Sequence, residues 1–518
     1  MKKLFLFSTV LVVLSTYAQQ KEGLLTKANQ QLLAQADQAY TQHAYSQAYG
    51  SYQLLAPTNA HAAFRLGYML LHGFGTPKDL PAAIQWLTRA SDANDADAQY
   101  WLGECYATGT GVIRDARAAA VLFTKAAAQD QPQAQFALGE AYYQGQGVNQ
   151  NAQTAYTLLL PAATQGNTTA EYYLGKLLLA DKTLQGSDTH RASDWFLAAA
   201  QQHNPAAALE LGKLYLAGNE VEKNDYAAAH WLTVAVDANL DEAKYHLGLL
   251  HFFGQGVSKN YSRAAELLTS VADHGNADAA WKLAQIYLYG QEAPQKIAVN
   301  ISLAIKYLKI AVQAGKNPEA AAVLGQLYLS GTGVSADPAQ ALTLFQRAAD
   351  AGNAEAQNMT GYLYHQGIGT AVNNAQALKY YVQAAQQHVA GAEYMVGFFY
   401  QHGLGVPQNL TKAFEYYQQA AYAGIANAQL QLAALYTQGK AVTFDKVEAY
   451  AWLNIAASTS ETEIRNTALG AKAVLESSMT TEELARAQGL SETYFDKIKP
   501  AAVGEEVYVS AMQTKSNN

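Results

Sequence analysis

From Ala134 to Ala155 the chain reads AQFALGEAYYQGQGVNQNAQTA, and eleven variants of this stretch follow one another, mostly at intervals of 36 residues. The sixth place of each copy holds Gly, or Ala in two copies. These residues are Gly67, Gly103, Gly139, Gly175, Gly212, Gly248, Ala284, Gly325, Gly361, Gly397 and Ala433. A small unit that is repeated in line predicts an array in which each unit packs on its neighbours.

The first half of each copy has the spacing of an α-helix. In the second copy Ala98, Leu102 and Tyr106 lie four residues apart and therefore form one stripe along a helix. Gly103 would stand in the middle of that helix, where Gly costs about 1 kcal/mol relative to Ala. Because Gly returns there in nine of eleven copies, we expect a partner helix to approach so closely that a Cβ would block it.

The second half of each copy predicts a turn and another helix. A second Gly, such as Gly109, is typical of the left-handed residue that ends a helix. The Asp or Asn that follows in all eleven copies is expected to cap the second helix. These residues are Asp79, Asp115, Asn151, Asp188, Asn224, Asn260, Asn300, Asp337, Asn373, Asn409 and Asp445. The pattern Ala83, Trp86 and Ala90 then predicts a small–large–small packing face on the second helix.

The two ends of the chain depart from the repeat. Residues 1–18 have the features of a secretory signal: Lys2 and Lys3, a short apolar run, and a small-residue cleavage site ending at Ala18. The run is too short to span a bilayer, and an uncleaved anchor is the alternative. We expect a helical cap at residues 19–57, the repeat array at 58–457 and a second helical cap at 458–498. Residues 499–518 are predicted to be a disordered tail.

Two copies interrupt the rhythm, and insertions of this kind in repeat arrays fall in loops on one face. Asp181 stands where the turn Gly is expected, and five residues are added around Gln291 to Asn300.

The composition excludes several classes of function. The net charge of −8 opposes a general affinity for nucleic acid or anionic lipid. Cys105 is the only cysteine, so no internal disulfide or cysteine metal site can form. The Gly-x-Gly turns follow helices and lack the further Gly or Lys of a phosphate loop. No catalytic, metal or cofactor site is predicted, and no cofactor.

The repeat resembles the Sel1-like repeat family, which is related to the tetratricopeptide repeat. Leu138, Gly139, Tyr142, Gly145 and Asn151 follow the family pattern, and the resemblance covers about residues 60–457. It implies an all-α fold, a right-handed α/α superhelical solenoid of helix-turn-helix repeats. It also implies scaffold and adaptor roles, often in bacterial envelopes. One cysteine-rich branch of the family is linked to penicillin binding and β-lactam hydrolysis, and the single cysteine here argues against that activity.

The leading functional hypothesis is therefore a non-enzymatic exported scaffold that grips a protein or peptide partner on its concave face. The expected location is the periplasm of a Gram-negative bacterium, or the medium as the alternative, with no nucleic-acid partner and no membrane span after cleavage. A glycan-binding module is the second hypothesis, since low charge with 34 Tyr suits sugars, and a β-lactam hydrolase is a distant third. Candidate ligand-facing residues are the tyrosines outside the repeated Tyr place, Tyr380, Tyr381, Tyr417 and Tyr422.

Overall fold

The computed structural model describes residues 25–185, 190–290, 297–315 and 317–498, and in these ranges the chain is α-helical with no β-strand. The chain divides into two compact units, Met1–Ala243 with Gln255–Val257 and Lys244–Gly254 with Ser258–Asn518. The predicted signal segment, the predicted tail, Asp188 and residues 291–296 of the insertion lie outside the described residues.

Unit 1 is a succession of helices in which each packs against the next. They are α1 (residues 25–41), α2 (Tyr45–Leu55), α3 (Ala60–His72), α4 (Leu80–Asp92), α5 (Ala96–Thr108), α6 (Ala116–Ala127), α7 (Pro132–Gln144), α8 (Ala152–Thr164), α9 (Thr168–Ala180), α10 (Ala192–Gln201), α11 (Pro205–Ala217) and α12 (Asp225–Val236). A 3₁₀ turn at Lys182–Gln185 follows α9. Helix α13 (Asp241–Phe253) contains the boundary between the units.

Unit 2 continues the same succession. Its helices are α14 (Tyr261–Asp273), α15 (Ala277–Tyr289), α16 (Ile301–Gln313), α17 (Pro318–Ser330), α18 (Pro338–Asp350), α19 (Ala354–Gln366), α20 (Asn374–Gln386), α21 (Ala390–His402), α22 (Leu410–Tyr422), α23 (Ala426–Gln438), α24 (Lys446–Ala456), α25 (Thr462–Glu476) and α26 (Thr481–Phe495). From α3 to α24 the odd-numbered helices are the first helices of the repeats and the even-numbered helices are the second.

The turn inside each repeat is closed by one residue that serves both helices. In the second repeat Gly109 has a φ of +81°, which ends α5 in the left-handed region. The Asp115 backbone N–H then donates to the Tyr106 carbonyl at 2.9 Å. The Asp115 side chain accepts from the backbone N–H groups of Arg117 and Ala118 at 2.9 and 3.0 Å. The same residue thus ties back to the first helix and starts the second.

Asp79, Asn151 and Asp337 cap their helices in the same way, accepting from Ala82, Thr154 and Gln340 respectively. The fourth repeat differs at its second helix, and the predicted cap residue Asp188 lies outside the described residues. Helix α10 begins at Ala192 with Arg191 as its N-cap residue, and the Asp194 carboxylate accepts from the Arg191 backbone N–H at 2.8 Å. Asp181, at the place of the missing turn Gly, ends α9 in an extended conformation and leads into the 3₁₀ turn.

A second series of caps, which the sequence pattern did not predict, starts the first helices. The Asn59 side chain accepts from the Ala62 backbone N–H at 2.9 Å, and Asp95 accepts from Ala98 at the same distance. Asn167, Asn204, Asn276, Asn317 and Asn353 repeat the contact. The repeated Ala is therefore the third residue of its helix, and its N–H is one of those that a helix start leaves without an internal partner.

The mid-helix glycines lie where the two helices of a repeat come closest. A Cβ on Gly103 would lie 2.6 Å from Cε1 of Phe123, and one on Gly175 would lie 2.6 Å from Cε1 of Phe196. Similar distances of 2.7 to 2.9 Å hold at Gly67, Gly139, Gly212, Gly248, Gly361 and Gly397. Gly325 is the least crowded, with Phe345 at 3.2 Å. A side chain at these places would have to displace a packed neighbour.

The buried large residue of the second helix is one place later than the sequence pattern suggested. Leu87, not Trp86, is fully buried with Ala83 and Ala90 and lies over Gly67. In α22 the same holds for Tyr417, which lies over Gly397. Both spacings, three and four, put a residue near the face of Ala83, and the close helix approach selects the second of them.

Helices outside the repeats pack on the first and last helices of the array. In unit 1, Ala36, Ala48 and Tyr52 of α1 and α2 join the core of α3. In unit 2, the Trp452 ring of α24 stacks on Tyr494 of α26 with centroids 4.8 Å apart. Thr480 and Glu483 form a capping box at the start of α26.

Candidate interaction surface

The first helices have a stripe that the fold does not use. The third, sixth and tenth residues after the repeated Ala are half-buried or exposed, while the repeated Ala, Leu and Gly are buried in unit 1. We call these three places the variable stripe, since their side chains change from repeat to repeat. In unit 1 the stripe contains Arg65, Tyr68, His72, Trp101, Glu104, Thr108, Ala137, Glu140, Gln144, Tyr173, Lys176, Ala180, Glu210, Lys213 and Ala217.

Side chains of the stripe pair from one repeat to the next. The sixth place of a repeat meets the third place of the following one: Lys176 Nζ lies 2.9 Å from Glu210 Oε1. Lys213 then contacts Glu210 at 3.4 Å, and it contacts Glu242, which precedes the repeated Ala243 and lies outside the stripe, at 2.7 Å. Burial opposes the lysine charge, but these carboxylates dominate and raise the pKa of both Lys176 and Lys213. The first helices of unit 1 are thus aligned by side chains as well as by their cores.

The beginning of the stripe is aromatic. Tyr68 and Trp101 have ring centroids 4.9 Å apart, and His72 lies 5.2 Å from Trp101 and 4.2 Å from Tyr68. The Arg65 guanidinium lies over the Tyr40 ring at 5.0 Å. Desolvation, followed by the charge of Lys78, lowers the pKa of His72, so its imidazole is neutral at pH 7. This end of unit 1 presents half-buried rings with a cation held against them.

The middle of the stripe carries carboxylates. Glu140 accepts from the Tyr173 hydroxyl at 2.8 Å and from the Gln144 amide at 3.0 Å. Glu104 is half-buried, and within the described ranges its carboxylate has no hydrogen bond or cation partner. Desolvation, and then the charge of Glu140, raise the pKa of Glu104. Trp101, Glu104 and Glu140 are stripe residues that the sequence patterns did not single out, because they do not recur.

Unit 2 has its own aromatic places on the stripe. Lys282 lies over the rings of Phe252 and Phe253 at 5.0 and 5.2 Å, and burial lowers the pKa of this lysine. Further along, Phe398 and His402 have centroids 4.4 Å apart. The stripe of unit 1 is therefore mainly a row of rings, amides and charges, and the stripe of unit 2 has rings and a cation at these places.

The tyrosines predicted to face a ligand lie elsewhere. Tyr381 and Tyr417 are fully buried because they fill the space opposite Gly361 and Gly397. Tyr380 is also buried, stacked on Tyr364 with centroids 6.0 Å apart. The prediction is wrong for these three residues, since second-helix rings supply the core. Tyr422 is half-buried against Trp452 and Tyr494 at the end of the array.

The part of the chain that the structure describes holds no group of three or more His, Cys, Asp and Glu side chains placed to bind a metal ion. Nor does any helix in it have the length and apolar character needed to cross a membrane. Cys105 is buried, and its pKa is raised to about 11 by desolvation and then by Glu104. The side chain is therefore a protonated thiol packed in the core.

The two odd copies place polar groups at the surface. The Asp181 carboxylate accepts from the Thr183 backbone N–H at 2.9 Å and from its hydroxyl at 2.7 Å. These bonds lower the pKa of Asp181. Asn300, at the end of the insertion, caps α16 through the Leu303 backbone N–H at 3.0 Å.

Comparison with solved structures finds relatives of the same architecture. The structure is similar to that of a protective antigen from uropathogenic Escherichia coli strains, described as displaying an SLR fold, with 27% identity and a TM-score of 0.67. That alignment covers 89% of this chain and 97% of the antigen. A Sel1 repeat protein from Oxalobacter formigenes is 28% identical with a TM-score of 0.44, over 60% of this chain and 88% of that one. No curated protein matches the chain in sequence.

The profile of the family described as Sel1 repeat matches eleven segments of the chain. They are residues 60–95, 96–131, 132–167, 168–204, 205–240, 241–276, 277–316, 318–353, 354–389, 390–425 and 426–458. Each segment contains the first helix, the turn and the second helix of one repeat as the structure has them. The matched segments make up well over half of the sequence, and the chain belongs to the Sel1 repeat family.

Proposed function

We propose that this chain is an exported, non-enzymatic scaffold of a bacterial cell envelope, and that it binds a protein partner along the variable stripe of its first helices. Sel1-repeat proteins are commonly scaffolds for protein–protein interaction. The observation that carries the proposal is that structural residues and accessible residues occupy different places of the repeat. Recurring residues build the core, caps and turns, and the stripe is left as an accessible row of side chains that differ from repeat to repeat.

The chemistry of the stripe suits a polypeptide ligand. Within unit 1 it offers rings, carboxylates, lysines and amides on successive first helices, whose contacts follow one another at the repeat interval. An extended segment has backbone donors and acceptors and side chains at regular spacing, which such a row can contact. The residues that pair, such as Lys176 and Glu210, fix the orientation of the row before binding and reduce the ordering cost.

Export is supported by the first residues, where two lysines precede a short apolar run and a small-residue cleavage site. The similar structure from uropathogenic Escherichia coli is named a protective antigen, which is in keeping with a location outside the cytoplasm. We place the mature chain in the periplasm of a Gram-negative bacterium, with secretion as the alternative. N-terminal sequencing of the chain from a periplasmic fraction tests this, and an intact Met1 in the cytoplasmic fraction would refute it.

A photo-crosslinking residue can test the binding surface directly. Gln144 is an exposed stripe residue, and Lys125 is an exposed residue of the second helix α6. With the crosslinker at position 144 we expect a discrete protein adduct in the envelope, which the same crosslinker at position 125 does not give. Equal adducts at both positions, or none at position 144, would contradict the assignment of the stripe. Purified protein is expected not to hydrolyse nitrocefin.

Glycan binding is the second candidate, because Tyr68 and Trp101 offer half-buried rings on the stripe. Sugars bind through such rings and through amides. Retention of the purified chain on cell wall or on exopolysaccharide, with loss of retention in Trp101→Ala, would favour this function over the first.

A further inference from the structure

One carboxylate of the variable stripe lacks the partner that its neighbours have. By the alignment of the first helices, the sixth place of a repeat meets the third place of the next, as Tyr68 meets Trp101 and Lys176 meets Glu210. For Glu104 that third place is Ala137, whose side chain has no polar atom. Glu104 is half-buried, and its carboxylate has no hydrogen bond or ion pair among the described residues. Because α7 has Ala137 at this place, the Glu104 carboxylate has no polar or cationic partner there.

The surroundings of Glu104 favour an incoming cation. Glu104 and Glu140 occupy the same sixth place on two successive first helices. Desolvation, and then the charge of Glu140, raise the pKa of Glu104. Lys176, the lysine of the stripe on α9, is already held by Glu210 at 2.9 Å. Of the two half-buried carboxylates, only that of Glu140 accepts hydrogen bonds from the described residues. Two like charges in such surroundings repel each other. A positive group between them would lower this cost.

Aromatic rings lie beside these carboxylates. Tyr100 interacts electrostatically with Glu104, and its ring centroid lies 5.3 Å from that of Trp101. On the other side of Glu140, the rings of Tyr143 and Tyr173 lie 4.7 Å apart. A Lys or Arg side chain over a ring gains about 0.5–2 kcal/mol, more where water is excluded. Rings beside carboxylates that lack a cation partner in the described part of the chain favour a cation that carries aliphatic carbon over a bare metal ion.

We propose that the section of the variable stripe formed by Trp101, Glu104, Glu140 and Tyr173 binds a lysine or arginine side chain of an extended protein segment. This inference rests on the proposed function, since it names the chemistry of the partner. Charge complementarity indicates a cationic ligand, because the section has two carboxylates. Within the described ranges, neither of them forms an ion pair with a Lys or Arg side chain. A protein segment fits better than a free cation because the stripe continues on both sides of the section.

The test uses the purified chain without residues 1–18 and a peptide labelled at its N-terminus, fluorescein-GQKQKQKQG-amide, with the lysines replaced by Gln in the control peptide. We expect saturable binding of the lysine peptide by fluorescence anisotropy and at least 10-fold weaker binding of the Gln peptide. Glu104→Gln should weaken binding of the lysine peptide by about 10-fold. Trp101→Ala should also weaken binding of the lysine peptide. If circular dichroism shows that Trp101→Ala has lost helicity, the result for Glu104→Gln alone tests the proposal.

The matched control is Asp92→Asn, which removes the same charge from an exposed place at the end of α4. We expect less than a 2-fold change for this variant. An equal loss in Asp92→Asn and Glu104→Gln would show that only bulk negative charge attracts the peptide, and would overturn the proposal. Binding of spermidine with the same affinity and the same loss in Glu104→Gln would overturn the choice of a protein segment.

The outcome also separates this inference from the function on which it rests. If the lysine peptide does not bind but the crosslinker at position 144 still gives its adduct, the cationic partner is wrong and the scaffold function stands. If neither result appears, both proposals fall.

Discussion

Replacing Gly175 by Ala measures how much of the fold depends on close helix approach. The added Cβ would lie 2.6, 2.7 and 2.9 Å from three ring atoms of Phe196, a fully buried side chain that packs against Tyr172 at 6.0 Å between centroids. A ring in this position cannot swing into solvent. Overpacking of a core costs about 1–3 kcal/mol. Helix propensity favours Ala over Gly by about 1 kcal/mol and opposes this cost.

The expected net effect of Gly175→Ala is thus a loss of about 0–2 kcal/mol in the free energy of unfolding, the difference of these two terms. Gly50 supplies the matched control in the same unit. It lies inside α2, is exposed, and has nothing within 4 Å of an added Cβ. Gly50→Ala should therefore stabilise the protein by about 0.5–1 kcal/mol through propensity alone. Gly325→Ala should fall between the two, because Phe345 lies at 3.2 Å.

Urea unfolding followed by far-ultraviolet circular dichroism gives the comparison, and an unchanged slope with urea shows that the transitions can be compared. We expect the free energy of unfolding to decrease in the order Gly50→Ala, Gly325→Ala, Gly175→Ala. If all three variants were stabilised alike, helix propensity would govern these positions and the close-approach explanation would be refuted.

Three further predictions follow from single residues. Asp79→Ala should lower the free energy of unfolding by about 1 kcal/mol through loss of the cap on α4, whereas Asp79→Asn keeps the acceptor and should change it little in the same urea assay. Cys105, with its pKa raised to about 11, should resist iodoacetamide at pH 8 in the native chain and react once urea unfolds it; rapid labelling of the native chain would contradict its burial. His72 has a lowered pKa in the folded chain, so the unfolded chain binds more protons and stability should fall as pH drops below about 6.5; His72→Gln should show a smaller fall in melting temperature between pH 7 and 5.

The sequence predicted the repeated features because each of them depends on residues a few places apart. Helix stripes, the left-handed Gly and the Asp or Asn caps are rules of local backbone geometry, and Gly109 with Asp115 shows both in one turn. The second series of caps, beginning with Asn59, follows the same rule and could have been found by asking what precedes the repeated Ala. The fourth repeat departs from this rule, since its turn lacks the Gly and Arg191 is the N-cap residue of α10.

The candidate surface could not be predicted in the same way. Tyr416 and Tyr417 differ by 100° around a helix, and the small–large–small pattern does not separate them. Only the approach of α21 to α22 decides that Tyr417 lies in the core over Gly397. The sequence pattern alone therefore predicts a ligand-facing role for tyrosines that the fold buries.

By itself the sequence determined the all-α repeat, its helix ends and the residues spent on them, because eleven copies of a local rule leave little freedom. Only the tertiary structure decided which side chains remain for a partner. Lys176 meets Glu210 across 34 residues, while the Glu104 carboxylate has no hydrogen bond or ion pair among the described residues. Such pairing depends on how neighbouring helices are rotated against each other, and core packing between repeats sets that rotation.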